Sequence, residues 1–122
     1  MAKNQYLLIS GIVGFLAVAL GAFGAHGLKN IIEASLLETY KTGILYHLIH
    51  SAILFALAFN LNSNGFLKKS FWLILSGVVL FSGSLYLYAL TQIKILVLIT
   101  PIGGVTLLAG WLLIIIAGMK KS

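Results

Sequence analysis

Cysteine, aspartate and arginine are all absent from this 122-residue chain, and its only acids are Glu33 and Glu38. Lack of cysteine removes disulfides, thiolate metal sites and cysteine nucleophiles together. Scarcity of acid leaves catalysis without its usual orienting carboxylate, because acid–base and nucleophilic chemistry generally pairs a base with such a group. Charged residues make up 8% of the chain and hydrophobic ones 61%, against about 25% and about 45–50% in soluble domains. The net charge of +6 therefore reflects missing acid, with lysines scattered in ones and twos. A nucleic-acid binder would need a continuous basic face. With a mean hydropathy of +1.10, the composition points to a small integral membrane protein whose solvent is the lipid bilayer. No enzyme, cofactor or nucleic-acid partner is expected.

A bilayer core of about 30 Å takes about 20 mostly apolar residues per helix. Four stretches qualify, at about 5–25, 42–61, 70–90 and 95–118, and none contains Asp, Glu, Lys or Arg. The first exceeds the 7–15 apolar residues of a usual signal-peptide core, so it reads as a span. Four spans use most of the chain and leave a single membrane domain, 1–122. Between the first two, residues 27–41 are too polar to cross. Leu28, Ile31, Ile32, Leu36 and Tyr40 recur there near helical spacing, which predicts a short amphipathic helix lying on the membrane surface. The expected fold is an all-α integral membrane four-helix bundle with that interfacial helix between spans one and two. Lys3, Lys68, Lys69, Lys120 and Lys121 fall on one side of the spans, and Lys29, Lys41 and Lys94 on the other. The positive-inside rule then puts both termini on the cytoplasmic face of the inner membrane. Tyr6, Trp72 and Trp111 are expected near the inner interface, and Tyr40, Tyr46, Tyr86 and Tyr88 toward the outer one.

In lipid the hydrophobic effect does not drive helices together, so close packing rests on small residues. Ser10, Gly14, Ala17, Gly21 and Ala25 recur at spacings of three or four in the first span. Gly103, Thr106 and Gly110 do so in the fourth. Tight packing accounts for nearly all 13 glycines, and any surplus small-residue face would suit a homo-oligomer or a membrane-protein partner.

Within uncharged spans, every polar side chain is informative. Tyr46, His47 and His50 share the second span, the two histidines three residues apart on a nearly common face. His26 closes the first span, Ser82, Ser84 and Tyr86 lie late in the third, and Thr100, Pro101, Gly103 and Gly104 lie early in the fourth. At about 1.5 Å of rise per residue, His47 and His50 lie roughly 7 to 12 Å below the outer end of their span. Pro101 to Gly104 lie roughly 9 to 13 Å below theirs. The expectation is one polar pocket in the half of the membrane beneath the interfacial helix. Such groups can bond one another and the backbone freed by Pro101, or bind a ligand or lipid headgroup where Pro-Gly-Gly opens the fourth helix. His26, His47 and His50 could bind zinc, but a pair at i, i+3 is a weak signal and no carboxylate stands nearby to orient the rings. Neither a metal site nor catalytic residues are assigned.

Ion-coupled transport relies on intramembrane acids or charges, which are missing here, and four helices are few for alternating access. The reading that follows is a structural or accessory protein acting in envelope integrity. The alternatives are an oligomeric small-molecule or ion pore lined by His26, His50 and Ser84, and a lipid- or ligand-binding protein.

GAFGAHGL (21–28), YHLIH (46–50), FSGSLYLYALT (81–91) and TPIGG with the following GW (100–104, 110–111) together resemble the YgdD/YwdK family of small bacterial membrane proteins. This is a domain-of-unknown-function family with eukaryotic four-span relatives, and the resemblance covers essentially the whole chain. It implies a four-helix inner-membrane protein with no assigned substrate or cofactor. The family pattern falls on Gly21, Gly24, His26 and Gly27, on Tyr46 and His50, on Ser82, Gly83, Ser84 and Tyr86, and on Pro101, Gly103, Gly104, Gly110 and Trp111. Position 47 is often Gln in this family, which weakens His47 further as a metal ligand. Gln92 stands where many members have Gly, which puts the tightness of the third loop in question.

Overall fold

The computed structural model describes residues 3–120, so Lys121, one of the lysines used for topology, lies outside the described residues. Four helices follow one another: α1 (Lys3–His26), α2 (Ala34–Ala58), α3 (Gly65–Thr91) and α4 (Ile95–Met119), with a 3-10 turn at Leu61–Ser63. Each is long and apolar enough to cross a membrane, and no strand occurs among the described residues. The chain is thus an all-α four-helix membrane bundle. The physical reason is that a chain in hydrocarbon must satisfy its backbone N–H and C=O groups internally, which a helix does within one segment.

The ends of α3 have clear causes. Asn64 caps its start, with the side chain accepting from the Phe66 N–H at 2.9 Å. Gln92 ends it in the left-handed region, φ 57 and ψ 26, where its N–H reaches the Tyr88 carbonyl at 2.7 Å. Glutamine therefore adopts the conformation that glycine takes at lower cost, and the loop to α4 stays tight.

The separate interfacial helix expected over residues 27–41 does not form. Residues 27–33 make turns, with Gly27 N–H to Phe23 O at 2.6 Å and Ile31 N–H to Leu28 O at 3.0 Å, and α2 is already under way at Ala34. Starting a new helix requires a costly nucleus, which the first turns of a continuous α2 avoid. Of the residues whose spacing suggested a membrane-surface face, Leu36 and Tyr40 belong to α2, while Leu28, Ile31 and Ile32 precede it and Ile31 is exposed. Leu28 and Tyr40 are buried with Ala89 in a small cluster at this end of the bundle.

In space α2 packs between α1 and α3, and α3 packs between α2 and α4. The larger apolar cluster joins Leu54 and Leu57 of α2 to Phe71, Ile74 and Val78 of α3, with Tyr6 and Leu107 added from the outer helices. Outward faces are apolar as well: Phe15 is 74% exposed and Leu108 68%, as suits helices surrounded by lipid. Two of the aromatic residues expected at the interfaces turn into the bundle. Tyr6 and Tyr40 are buried, and the Tyr6 ring meets Phe71 edge-on at 4.9 Å.

Candidate functional site

Polar side chains stitch the helices together, and they do so at glycine. The Tyr40 hydroxyl donates to the Leu20 carbonyl at 2.5 Å, and Ser82 donates to the Gly43 carbonyl at 2.7 Å. Ser70 donates to the Gly110 carbonyl at 2.8 Å, and His47 meets the Val13 carbonyl at 2.9 Å. Each acceptor is either a glycine or the residue just before one, Leu20 preceding Gly21 and Val13 preceding Gly14. A missing side chain exposes the helix carbonyl to a second donor and lets the neighbouring helix approach. The closest approach to a neighbouring backbone is at Gly103, where any Cβ would collide with the Phe81 backbone.

The ring contacts of His47 fix its tautomer. A carbonyl can only accept, so Nε2 carries the proton that goes to Val13 O. Nδ1 is then the acceptor for the Tyr86 hydroxyl at 2.8 Å. Tyr86 packs in turn against Tyr40, with ring centroids 5.0 Å apart. This group closes the junction of α1, α2 and α3.

His50 faces the other way and carries the opposite tautomer. Its Nδ1 donates to the Tyr46 carbonyl of its own helix at 2.7 Å. Its Nε2 therefore accepts the indole N–H of Trp111 at 3.0 Å, since indole can only donate. This bond ties α2 to α4 across α3. It sits eight residues before Ala58 and eight before Met119, which is about 12 Å from each helix end.

On one side of the bar formed by His50 and Trp111, a lateral groove of about 460 Å³ is lined by Tyr46, Phe81, Pro101, Gly104 and Leu108 among others. A second groove of about 310 Å³ continues past Trp111 along Ile53, Leu57, Leu67 and Ile114. Both arise because α2 and α4 pack on α3 rather than on each other. Tyr46 stacks on His50 with an interplanar angle of 6° and lies 4.6 Å from Phe81. The Tyr46 hydroxyl makes no hydrogen bond among the described residues.

The structure divides the expected pocket into separate groups. His47, Ser82 and Tyr86 lie in the α1–α2–α3 junction. Ser84 and Thr100 pair with each other at 2.5 Å, joining α3 to α4. Tyr46, His50, Pro101 and Gly104 line the groove, while Gly103 is closed off in the α3–α4 contact. His26 is exposed at the last residue of α1. Among the described residues, no three His, Asp or Glu side chains gather as a metal-ligand set. Polar contacts also extend beyond the half of the bundle that holds His47 and Thr100, because Trp111 and Ser70 serve the middle and the opposite half. Tyr40, Ser70 and Trp111 lie outside the expected pocket set, although Trp111 belongs to the family pattern and Tyr40 to the expected interface aromatics. Their signal was a donor at a depth where the facing helix carries a glycine or another polar group.

The family described as "Protein of unknown function (DUF423)" matches residues 20–104 of this chain. The chain is 44% identical to the UPF0382 membrane protein YwdK of Bacillus subtilis, over 94% of this chain and 96% of that protein. It is 45% identical to a UPF0382 membrane protein of Haemophilus influenzae, over 98% of both. It is 39% identical to the UPF0382 inner membrane protein YgdD of Escherichia coli, over 98% of this chain and 93% of that one. No solved structure matches it.

Proposed function

The chain belongs to the DUF423 family of membrane proteins, and from that premise we propose that it is a non-catalytic structural or accessory protein of the cytoplasmic membrane that contributes to envelope integrity. The observation that carries this reading is the internal use of its buried polar groups. Among the described residues, no buried side-chain nitrogen or oxygen lacks a hydrogen-bond partner. Both ring nitrogens of His47 and of His50 are engaged, and of the two acids Glu33 precedes α2 while Glu38 lies near its start with its side chain exposed and paired with Lys41. No carboxylate is bonded to either histidine, so the orienting group that acid–base and nucleophilic chemistry generally uses is missing there. The lysine distribution favours both termini on the cytoplasmic side.

Loss of the protein should raise envelope permeability to a membrane-excluded dye, and re-expression of the chain should restore the barrier. Purified chain in liposomes should pass neither protons nor small solutes faster than protein-free vesicles. Flux that disappears in His50→Ala would overturn this reading in favour of an oligomeric pore.

A second reading, lipid binding, is favoured by the 460 Å³ groove and the unbonded Tyr46 hydroxyl within it. From Pro101 to Trp111 the groove follows α4 for about 15 Å, the depth of one leaflet of a core about 30 Å thick. That length suits a phospholipid acyl chain whose ester carbonyl accepts from Tyr46. In a Trp72→Phe background, Trp111 fluorescence should be quenched by dibrominated phosphatidylcholine at low mole fraction. Gly104→Leu, which fills the groove, should weaken that quenching. Equal quenching in both proteins would remove this reading.

A further inference from the structure

The two ends of the bundle are charged in different ways. At the end carrying the α1–α2 turns, Lys41 lies 3.6 Å from Glu38, and Glu33 stands at the start of α2. At the opposite end, where α3 starts and α4 stops, there is no Asp or Glu side chain among the described residues. Lys69 Nζ lies 5.9 Å from the centroid of the Phe66 ring, and Lys120 Nζ lies 5.7 Å from the same centroid. Both ammonium groups thus gather at one ring, and no Asp or Glu side chain stands at this end among the described residues. Left alone, this arrangement gathers positive charge that nothing nearby offsets: like charges repel, and the first turn of α3 holds no acid. The geometry is set by more than flexible lysine stems. The Asn64 side chain caps α3 and also donates to the Ala117 carbonyl at 3.4 Å, which fixes the start of α3 beside the end of α4.

We propose that Phe66, Lys69 and Lys120 form a seat for the phosphate of an anionic phospholipid. The ring supports both lysine stems while their charged heads reach the headgroup level, as amphipathic side chains do at a membrane surface. An anion bound by the two ammonium groups relieves that repulsion, and the bilayer supplies anionic headgroups at that height. The site is separate from the lateral groove, lying on the opposite face of the α3–α4 pair.

The test uses the full chain in nanodiscs of phosphatidylcholine, with spin-labelled phosphatidylglycerol or spin-labelled phosphatidylcholine as the probe. The expected result is a preference for phosphatidylglycerol. Lys69→Gln and Lys120→Gln should each lower it about fivefold, the factor corresponding to about 1 kcal/mol per lysine near an anionic surface. The double variant should abolish it, while Lys29→Gln/Lys94→Gln at the other end should leave it intact. Thermal melts of all variants check that each one folds. Equal loss in the two double variants would reduce the effect to general surface charge and overturn the proposal. So would the absence of any preference in the parent chain, or displacement of the labelled lipid by inorganic phosphate at comparable concentration.

Discussion

His47 and His50 stand three residues apart on α2, yet they serve opposite flanks of the helix with opposite tautomers. His47 is closed into the junction with α1 and α3, with both nitrogens spent on neighbouring helices. His50 spends one nitrogen on its own helix and the other on Trp111, and the flank beside it opens to lipid. About 60° of rotation on the helix separates a seam from a groove. The difference shows that buried histidine here is a positioned donor–acceptor pair. Its role is decided by which helix lies within reach.

The largest effect should come from filling the seam. Gly43→Val puts a Cβ 2.7 Å from the Tyr86 ring, and the chain should lose about 2–3 kcal/mol of stability by overpacking. Reversible unfolding in mixed detergent, followed by circular dichroism, measures it. A wild-type curve would show that the seam is not tightly closed.

His47→Leu comes next. It removes two bonds to neighbouring helices and leaves the Tyr86 hydroxyl unpaired, for a loss of about 2 kcal/mol. Adding Tyr86→Phe removes that orphan and should recover part of the loss, so strict additivity in the double variant would disprove the coupling. His50→Leu should cost only about 0.6–1 kcal/mol in the same assay, because a single interhelical bond disappears and the groove side can relax. A loss as large as that of His47→Leu would erase the contrast between the flanks.

On the open side, an added Cβ at Gly104 would meet Phe81 at an ordinary 3.7 Å. Gly104→Leu should therefore change stability by no more than about 0.5 kcal/mol. The gentlest check perturbs nothing. Nitrogen-15 spectra of the labelled rings should show His47 protonated at Nε2 and His50 at Nδ1, and matching tautomers would contradict the hydrogen-bond assignment.

The helices were legible in sequence because hydrocarbon leaves few alternatives to a continuous apolar helix. The spacing over residues 27–41 is ambiguous for a local reason. Leu36 and Tyr40 have helical spacing whether they rest on a membrane or continue inward to Gly43 and His47, and periodicity cannot tell these apart. The pocket residues were chosen as polar groups at matching depth. Depth says nothing about azimuth, and azimuth sent His47 toward Val13 and Tyr86 and His50 toward Trp111. Trp111 was placed at an interface by residue type, whereas His50 holds its indole about 12 Å inside the end of α4.

By itself, then, the sequence determined the solvent, the number of helices and the supply of glycines for close packing, since these follow from composition and run length. Tertiary structure decided which carbonyl each donor finds, which tautomer each histidine adopts, and where two helices fail to meet and leave a groove. These depend on helix rotation and neighbour order, which arise only when four apolar surfaces settle against one another. Short-range, directional hydrogen bonds then select among arrangements that the apolar surfaces alone would leave nearly equal in energy.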